Sequence, residues 1–217
     1  MESTNTRCII ITNYIKGTIR DLIDLKEDDM ILCADGGYVN AAAEGIRPDM
    51  VIGDFDSRKE FRREDVPEDI PVDPWPSHKD YTDTALCLDW AVEHGYRNIL
   101  VVGGFGGRED HTIANLQNLF LFARRGAAVM MIDRQNIAFP LIDDEVVLEG
   151  REGWYLSVFA HSDKAEGVTL RGVEYPLEDF TMTNEFPLGV CNEAAEDEVY
   201  IKVEKGALLI MMTKDLK

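Results

Sequence analysis

The sequence predicts an α/β protein: an N-terminal, mainly parallel sheet with helices on both faces, joined to a small C-terminal antiparallel β-sandwich. Three observations carry this expectation. Apolar, β-branched runs alternate with stretches of helical periodicity up to about residue 140. Those runs are short and continuous, as in parallel strands buried on both faces. Beyond about residue 140 no amphipathic helix is apparent, and short runs broken by Gly, Pro, Asn and Asp take over.

The strand candidates of the first part are Arg7–Thr12, Met30–Ala34, Met50–Ile52, Asn98–Val102 and Ala128–Ile132. Two helices stand out between them. One spans Tyr81–His94, with Tyr81, Ala85, Leu88 and Val92 on one face. The other spans His111–Arg124, with Ile113, Leu116, Phe120 and Ala123 aligned. The stretch Arg58–Pro76 interrupts this rhythm with charge and four prolines, which implies an excursion over the surface. In the second part the strand candidates are Trp154–Ala160, Gly167–Leu170, Val199–Val203 and Ala207–Met212. The spacing therefore predicts two domains, 1–140 and 141–217, with the boundary near Phe139–Asp144.

Composition narrows the function. Hydrophobic residues make up 45% of the 217, enough for a substantial core. The formal net charge of −19 argues against broad contact with nucleic acid, which needs a basic surface. An acidic chain binds a nucleotide only where local cations, backbone N–H groups and a metal offset the phosphates, and it steers cationic substrates inward. The four cysteines, Cys8, Cys33, Cys87 and Cys191, form neither a CxxC pair nor a zinc-type spacing. The apolar run Cys8–Ile11 is too short for a signal peptide, and no segment is long enough to span a bilayer. A cytoplasmic protein without membrane association is expected.

Three segments at strand ends and helix starts carry chemistry: Gly53–Ser57 (GDFDS), Lys79–Asp83 (KDYTD) and Gly103–His111 (GGFGGREDH). In an extended chain Asp54 and Asp56 share a face, with Phe55 opposed. Two carboxylates at the carboxyl edge of a parallel sheet suit Mg²⁺, which takes one or two of them plus phosphate oxygens and water. A solvated turn with Asx-type bonds is the alternative. Asp80 and Asp83 have the spacing of a capping box, with Asp80 as N-cap. Asp83 lies off the buried stripe and is the better third ligand. Lys79 could meet phosphate as a point charge.

In the third segment, Gly103, Gly104, Gly106 and Gly107 permit close backbone approach to a phosphate at a helix N-terminus. The spacing is neither a Walker A loop nor a GxGxxG fingerprint. Arg108 offers a bidentate fork. Asp110 could cap the helix, and His111 could contact base or phosphate. Asp35-Gly36-Gly37 closes the second strand at the same predicted edge, with Asp35 placed to bond a sugar or a metal-bound water.

The ordered set ADGG, PDMVIGDFDS, KDYTDTALCL and GGFGGREDH, followed by Asn115, resembles the bacterial thiamine pyrophosphokinases. Val168–Gly172, Val173–Leu177 and Gly189–Glu193 are similar to segments of that family's sandwich domain. The resemblance implies transfer of the β,γ-pyrophosphoryl group of ATP to the thiamine hydroxyl, giving thiamine diphosphate and AMP. It also implies a homodimer enclosing thiamine between the α/β domain of one subunit and the sandwich of the other. By the same resemblance Asp54, Asp56 and Asp83 are Mg²⁺ ligands. It implies that Arg108, Asp110 and the glycine loop hold ATP; Asp35, Gly36, Gly37, Lys79, Asp80, His111 and Asn115 are the further candidate nucleotide-binding residues. Cys191, Asn192 and Glu193 border thiamine. The family usually has serine at the position of Cys191, and a thiol is a weaker hydrogen-bonding group than a hydroxyl.

Two other readings fit parts of the pattern. One is an Asp-x-Asp phosphatase with Asp54 as nucleophile, although there the pair usually follows the first strand, not the third. The other is a nucleotide- or thiamine-binding module without catalysis.

Overall fold

The structure, a computed structural model, describes residues 4–56, 60–74, 81–150 and 152–215. It divides into two compact units, 1–134 and 135–217. The division falls six residues before the expected boundary of 140. The reason is the strand Asn136–Ile142, which pairs along its whole length with a strand near the C-terminus.

In the first unit the order is β1 (Thr4–Ile11), α1 (Ile19–Leu22), β2 (Met30–Ala34), α2 (Gly37–Ala43), β3 (Met50–Gly53) and β4 (Val72–Pro74). It continues with α3 (Asp83–Glu93), β5 (Tyr96–Val102), α4 (Glu109–Ala123) and β6 (Ala128–Ile132). The strands lie in the order β6-β5-β1-β2-β3-β4, every neighbouring pair parallel. The chain first builds outward from β1 through β2, β3 and β4, then returns to β1's other side with β5. The switch in direction lies between β1 and β5, the crevice where open α/β sheets hold ligands.

Helices cover both faces. Ile9, Ile11, Cys33, Val51 and Val102 form one buried layer with Ala41 of α2. The alternate strand residues Ile10, Leu32 and Val101 face the other way. α3 packs on β1, β2, β3 and β5, and α4 packs on β6. Ala85, Leu88 and Val92 of α3 are buried as the periodicity predicts, whereas Tyr81 precedes the helix and is 46% exposed. On α4 the buried residues are Asn115, Leu119, Phe120 and Phe122, and Ile113 is 58% exposed. The expected stripe is thus partly rotated: Phe120 is buried as predicted, but Phe122 and Leu119 join it in place of Ile113, each stabilising by about 1.5–3 kcal/mol when buried.

The stretch expected to be a surface excursion is anchored instead. Phe61, Val66 and Ile70 join the same buried layer as Ile9 and Ile11. Val72–Pro74 then adds a parallel edge strand to β3. Prolines are tolerated there because an edge strand has one side free of ladder bonds.

An ion pair near the opposite end of the sheet ties β1 to the approach to β2. Arg7 donates to both carboxylate oxygens of Asp29, at 2.9 and 2.6 Å, and Lys26 N–H adds a third bond. Burial alone would raise the Asp29 pKa, but these donors outweigh it and the net shift is downward. A depressed carboxylate stabilises the fold above its unfolded pKa, about 3.9, and that contribution is lost as pH falls through the folded value. Acid titration of wild type against Asp29→Asn is expected to show a shallower loss of stability below about pH 4 in the variant. Parallel acid limbs would contradict this role.

The second unit comprises β7 (Asn136–Ile142), β8 (Glu145–Glu149), β9 (Tyr155–Ala160), β10 (Lys164–Arg171), β11 (Leu177–Thr183), β12 (Gly189–Glu193), β13 (Glu198–Lys202) and β14 (Ala207–Thr213). They form two antiparallel layers, β12-β9-β14-β7 and β11-β10-β13-β8. Val158, Val168, Ile201, Leu208 and Ile210 are fully buried. β7, β8, β11 and β12 were not among the expected strands; in the last three, apolar and polar residues mix on both faces, with Val147, Phe180 and Val190 exposed and Asn192 buried, so no clean alternation marks them.

Candidate active site

A cavity of about 700 Å³ opens at the carboxyl edge of the parallel sheet. Its walls come from the ends of β1, β2, β3 and β5 and from the first turns of α3 and α4. On one side lie Asp35, Asp54, Asp56 and Asp83; on the other lie Gly104, Gly106, Gly107 and Arg108.

Carboxylate oxygens of Asp35, Asp54 and Asp83 lie within 4.8 Å of one another. Asp35 is the buried member, 1% exposed. The parallel register Ala34↔Ile52 brings it beside Gly53, and a β-carbon on Gly53 would stand 2.7 Å from Asp35 Cβ. Asp35 Oδ1 accepts the Phe55 N–H at 2.8 Å. Phe55 sits at φ 64°, a conformation costly for an aromatic residue. That bond and the packing of its ring on Phe61, centroids 5.2 Å apart, hold it there.

Because Phe55 is left-handed, Asp54 and Asp56 do not share the face of an extended strand, as the sequence implied. Asp56 instead closes an Asx turn, its N–H donating to Asp54 Oδ1 at 3.2 Å. Partial burial, a side-chain bond with Asp54 and the charges of Asp54, Asp35 and Asp83 raise the Asp56 pKa. The cluster therefore carries negative charge in excess.

Asp83 is the first residue of α3, and Thr82 is the N-cap, its hydroxyl accepting from Ala85 N–H at 3.3 Å. The capping role assigned to Asp80 thus belongs to Thr82, which leaves Asp83 available to the cluster. Lys79 and Asp80 themselves lie outside the described residues.

Gly36 has ordinary helical dihedrals as N-cap of α2. Gly37 serves packing and not ligand approach: a β-carbon there would stand 2.0 Å from the Ile11 carbonyl oxygen. In the glycine loop, Gly103, Gly104, Gly106 and Gly107 all have φ between 73° and 87°. Gly104 N–H bonds Tyr14 O at 2.9 Å, and Gly106 N–H bonds the Thr112 hydroxyl at 2.9 Å. Asn115 is buried and donates to Gly104 O at 3.1 Å, so it braces the loop from α4.

Arg108 is the N-cap residue of α4 and gives no side-chain cap. Its guanidinium forks onto Asp110, at 3.1 and 2.5 Å. The pairing raises the Arg108 pKa and lowers that of Asp110. Asp110 lies in the first turn of α4, beyond the N-cap, and His111 is exposed beside it.

In the second unit, Asn192 is 4% exposed and fully engaged. Its oxygen accepts from Tyr175 N–H and Glu193 N–H, both at 3.0 Å, and its amide donates to Tyr175 O at 2.8 Å. Cys191 and Glu193 are exposed on either side of it. Cys191 occupies an irregularity of the β12–β9 pairing at φ 59°, its N–H bonded to the Ser157 hydroxyl at 3.2 Å.

The sequence reading missed the loop after β1. Thr12, Asn13 and Tyr14 line the cavity, and Asn40 of α2 fixes the loop by bonds to Thr12 O and Asn13 O at 2.9 and 3.0 Å. Thr-Asn-Tyr is not a recognisable motif; only its place at the switch between β1 and β5 could have flagged it.

Residues 24–131 match the family described as thiamin pyrophosphokinase, catalytic domain, and residues 142–208 match thiamin pyrophosphokinase, vitamin B1 binding domain. The chain belongs to the thiamin pyrophosphokinase family. The reaction of that family moves the pyrophosphoryl group of ATP to thiamine. The chain is 30% identical over 209 residues to the thiamine pyrophosphokinase of Bacillus subtilis, covering 95% of this chain and 98% of that one. It superposes on the crystal structure of a thiamine pyrophosphokinase from that organism with TM-score 0.84, at 30% identity, over 98% of this chain and all of the other. The thiamin pyrophosphokinase of Geobacillus thermodenitrificans gives TM-score 0.79 at 28% identity, over 97% and 98% of the two chains. Among the described residues no helix is long and apolar enough to cross a membrane.

Proposed function

We propose that the cavity of the first unit is where Mg²⁺-bound ATP gives up its pyrophosphoryl group to the thiamine hydroxyl, yielding thiamine diphosphate and AMP. The observation that carries this is the gathering of Asp35, Asp54 and Asp83 opposite a glycine loop at the sheet's switch point. Their carboxylates offer the hard oxygen ligands Mg²⁺ prefers, one or two of which it takes together with phosphate oxygens and water. The raised Asp56 pKa fits too: burial comes first among its causes, and the neighbouring carboxylates add charge that a cation would relieve. Asp54 and Asp83 keep the ligand roles implied by family resemblance, Asp35 joins them, and Asp56 supports the cluster from its turn. When bound, the metal supplies neutralisation of charge on the phosphate oxygens.

The chain's own residues do the rest by positioning, which provides most of the acceleration in phosphoryl transfer. Gly104–Gly107 leave room for phosphate beside the N-terminal end of α4, whose dipole favours anions. Arg108, oriented by Asp110, stands at the rim with His111. Asn115 acts on ATP indirectly, by holding Gly104. In the second unit Cys191 and Glu193 are offered to thiamine while Asn192 fixes the strand that presents them. The first unit is thus the ATP and metal domain, and the second the thiamine-binding and dimerisation domain.

Incubation with ATP and thiamine, with and without Mg²⁺ and read by mass spectrometry, tests this. Thiamine diphosphate and AMP in equal amounts, only with Mg²⁺, is the expected result. Phosphate released from simple esters would instead favour Asp54 as a phosphatase nucleophile, and binding without turnover would favour a sensor.

A homodimer completes the proposal. Tyr175, Phe186, Leu188 and Val190 are exposed apolar residues on the second unit, between 41% and 69% accessible, and such groups favour an interface. Light scattering at assay concentration is expected to give twice the 24.5 kDa chain mass. A cytoplasmic setting fits: Cys8, Cys33, Cys87 and Cys191 form no disulfide among the described residues, as is usual in a reducing compartment.

A further inference from the structure

The acidic wall of the cavity raises a question of charge. Asp35, Asp54, Asp56 and Asp83 repel a polyphosphate wherever a metal does not intervene. The cation that the sequence offers on the opposite side, Arg108, is committed to Asp110 through two hydrogen bonds. A second cation stands beside the glycine loop. Lys16 is half-buried in the loop after β1, and its Nζ lies 3.4 Å from where a β-carbon on Gly106 would be.

Its position is built, not incidental. Thr12 O and Asn13 O are held by Asn40, and Tyr14 O by Gly104 N–H. The Tyr14 ring lies 3.1–3.3 Å from the β-carbon position of Gly107. The loops after β1 and β5 are thereby locked together across the sheet's switch point, with the ammonium between them. Among the described residues Lys16 has no ion-pair partner. A half-buried ammonium beside Gly106, which itself lines the cavity, is suited to a phosphate oxygen.

We propose that Lys16 is a polyphosphate-binding residue, holding the phosphates of the nucleotide against the glycine loop while the carboxylates hold the metal end. This rests on the reading of the cavity as the ATP site. The residue precedes the matched span 24–131, so the family match assigns it nothing.

Calorimetric titration of ATP with Mg²⁺ and no thiamine, into wild type, Lys16→Met and Lys16→Arg, tests the assignment alongside steady-state kinetics. Losing a charged hydrogen bond is expected to weaken ATP binding about 10-fold or more in Lys16→Met. KM for ATP rises in parallel, KM for thiamine stays unchanged, and Lys16→Arg recovers most of the affinity. ATP affinity in Lys16→Met equal to wild type overturns the proposal. So does an equal loss for ATP and thiamine in both variants, which marks a structural role. If wild type itself binds no ATP, the reading of the cavity fails, and Lys16 with it.

Discussion

Asp83→Asn is expected to lower turnover on the order of 100-fold or more, the scale of losing one preorganised electrostatic contact, while the protein stays folded. The side chain keeps its shape and loses only its charge. Helix α3 retains its start, because the cap belongs to Thr82. Removing a carboxylate from the first helical turn forfeits about 0.3–1 kcal/mol of dipole interaction. Relief of repulsion with Asp35 and Asp54, within 4.8 Å, opposes that loss. The metal-free variant should therefore match wild type in thermal midpoint within a few degrees. The upward shift that added Mg²⁺ gives wild type, by binding only the native state, should largely disappear. Near-normal turnover at saturating Mg²⁺ would sink the metal assignment. Asp54→Asn is expected to behave alike.

The largest stability effect is expected at Gly37. Alanine is ordinarily better than glycine inside a helix by about 1 kcal/mol, and the residue lies at the start of α2. Here the β-carbon would meet Ile11 O at 2.0 Å, Ile11 C at 2.9 Å and Thr12 C at 3.2 Å, all backbone atoms. None is the free end of a side chain, so α2 must move away from β1. We expect Gly37→Ala to destabilise the fold by about 3 kcal/mol, the upper range of overpacking. For a chain of this size that is a fall in melting temperature on the order of 10 °C. Activity falls as well, since α2 carries Asn40, which fixes the loop bearing Lys16. An unchanged midpoint in both thermal and denaturant melts would refute the packing role.

Much of this was legible in the chain. The parallel strands and two long helices follow from apolar period, and the glycine loop and acidic segments announce themselves by composition. Their order along the chain points to the family. What periodicity misplaced was decided by size and neighbours. Ile113 fits the same helical stripe as Phe120, yet Phe122 and Leu119 take the buried face beside Phe120 in its place. The proline-rich stretch after Asp56 looks like surface until Phe61, Val66 and Ile70 find the layer beneath α2.

The candidate site divides in the same way. Asp54, Asp56, Asp83 and the glycines could be read from their segments, because ligand chemistry and backbone freedom are local properties. That Asp35 joins the cluster is set by the register between β2 and β3. That Asn115 and Asn192 spend their amides on backbone partners is visible only in three dimensions.

The sequence by itself determined that acidic groups, a phosphate-compatible loop and a two-part α/β and sandwich fold belong to one chain. The tertiary structure alone decided which carboxylates meet and which cation faces the loop. Distances between segments far apart in sequence are fixed by strand order and helix packing, and no local pattern encodes them.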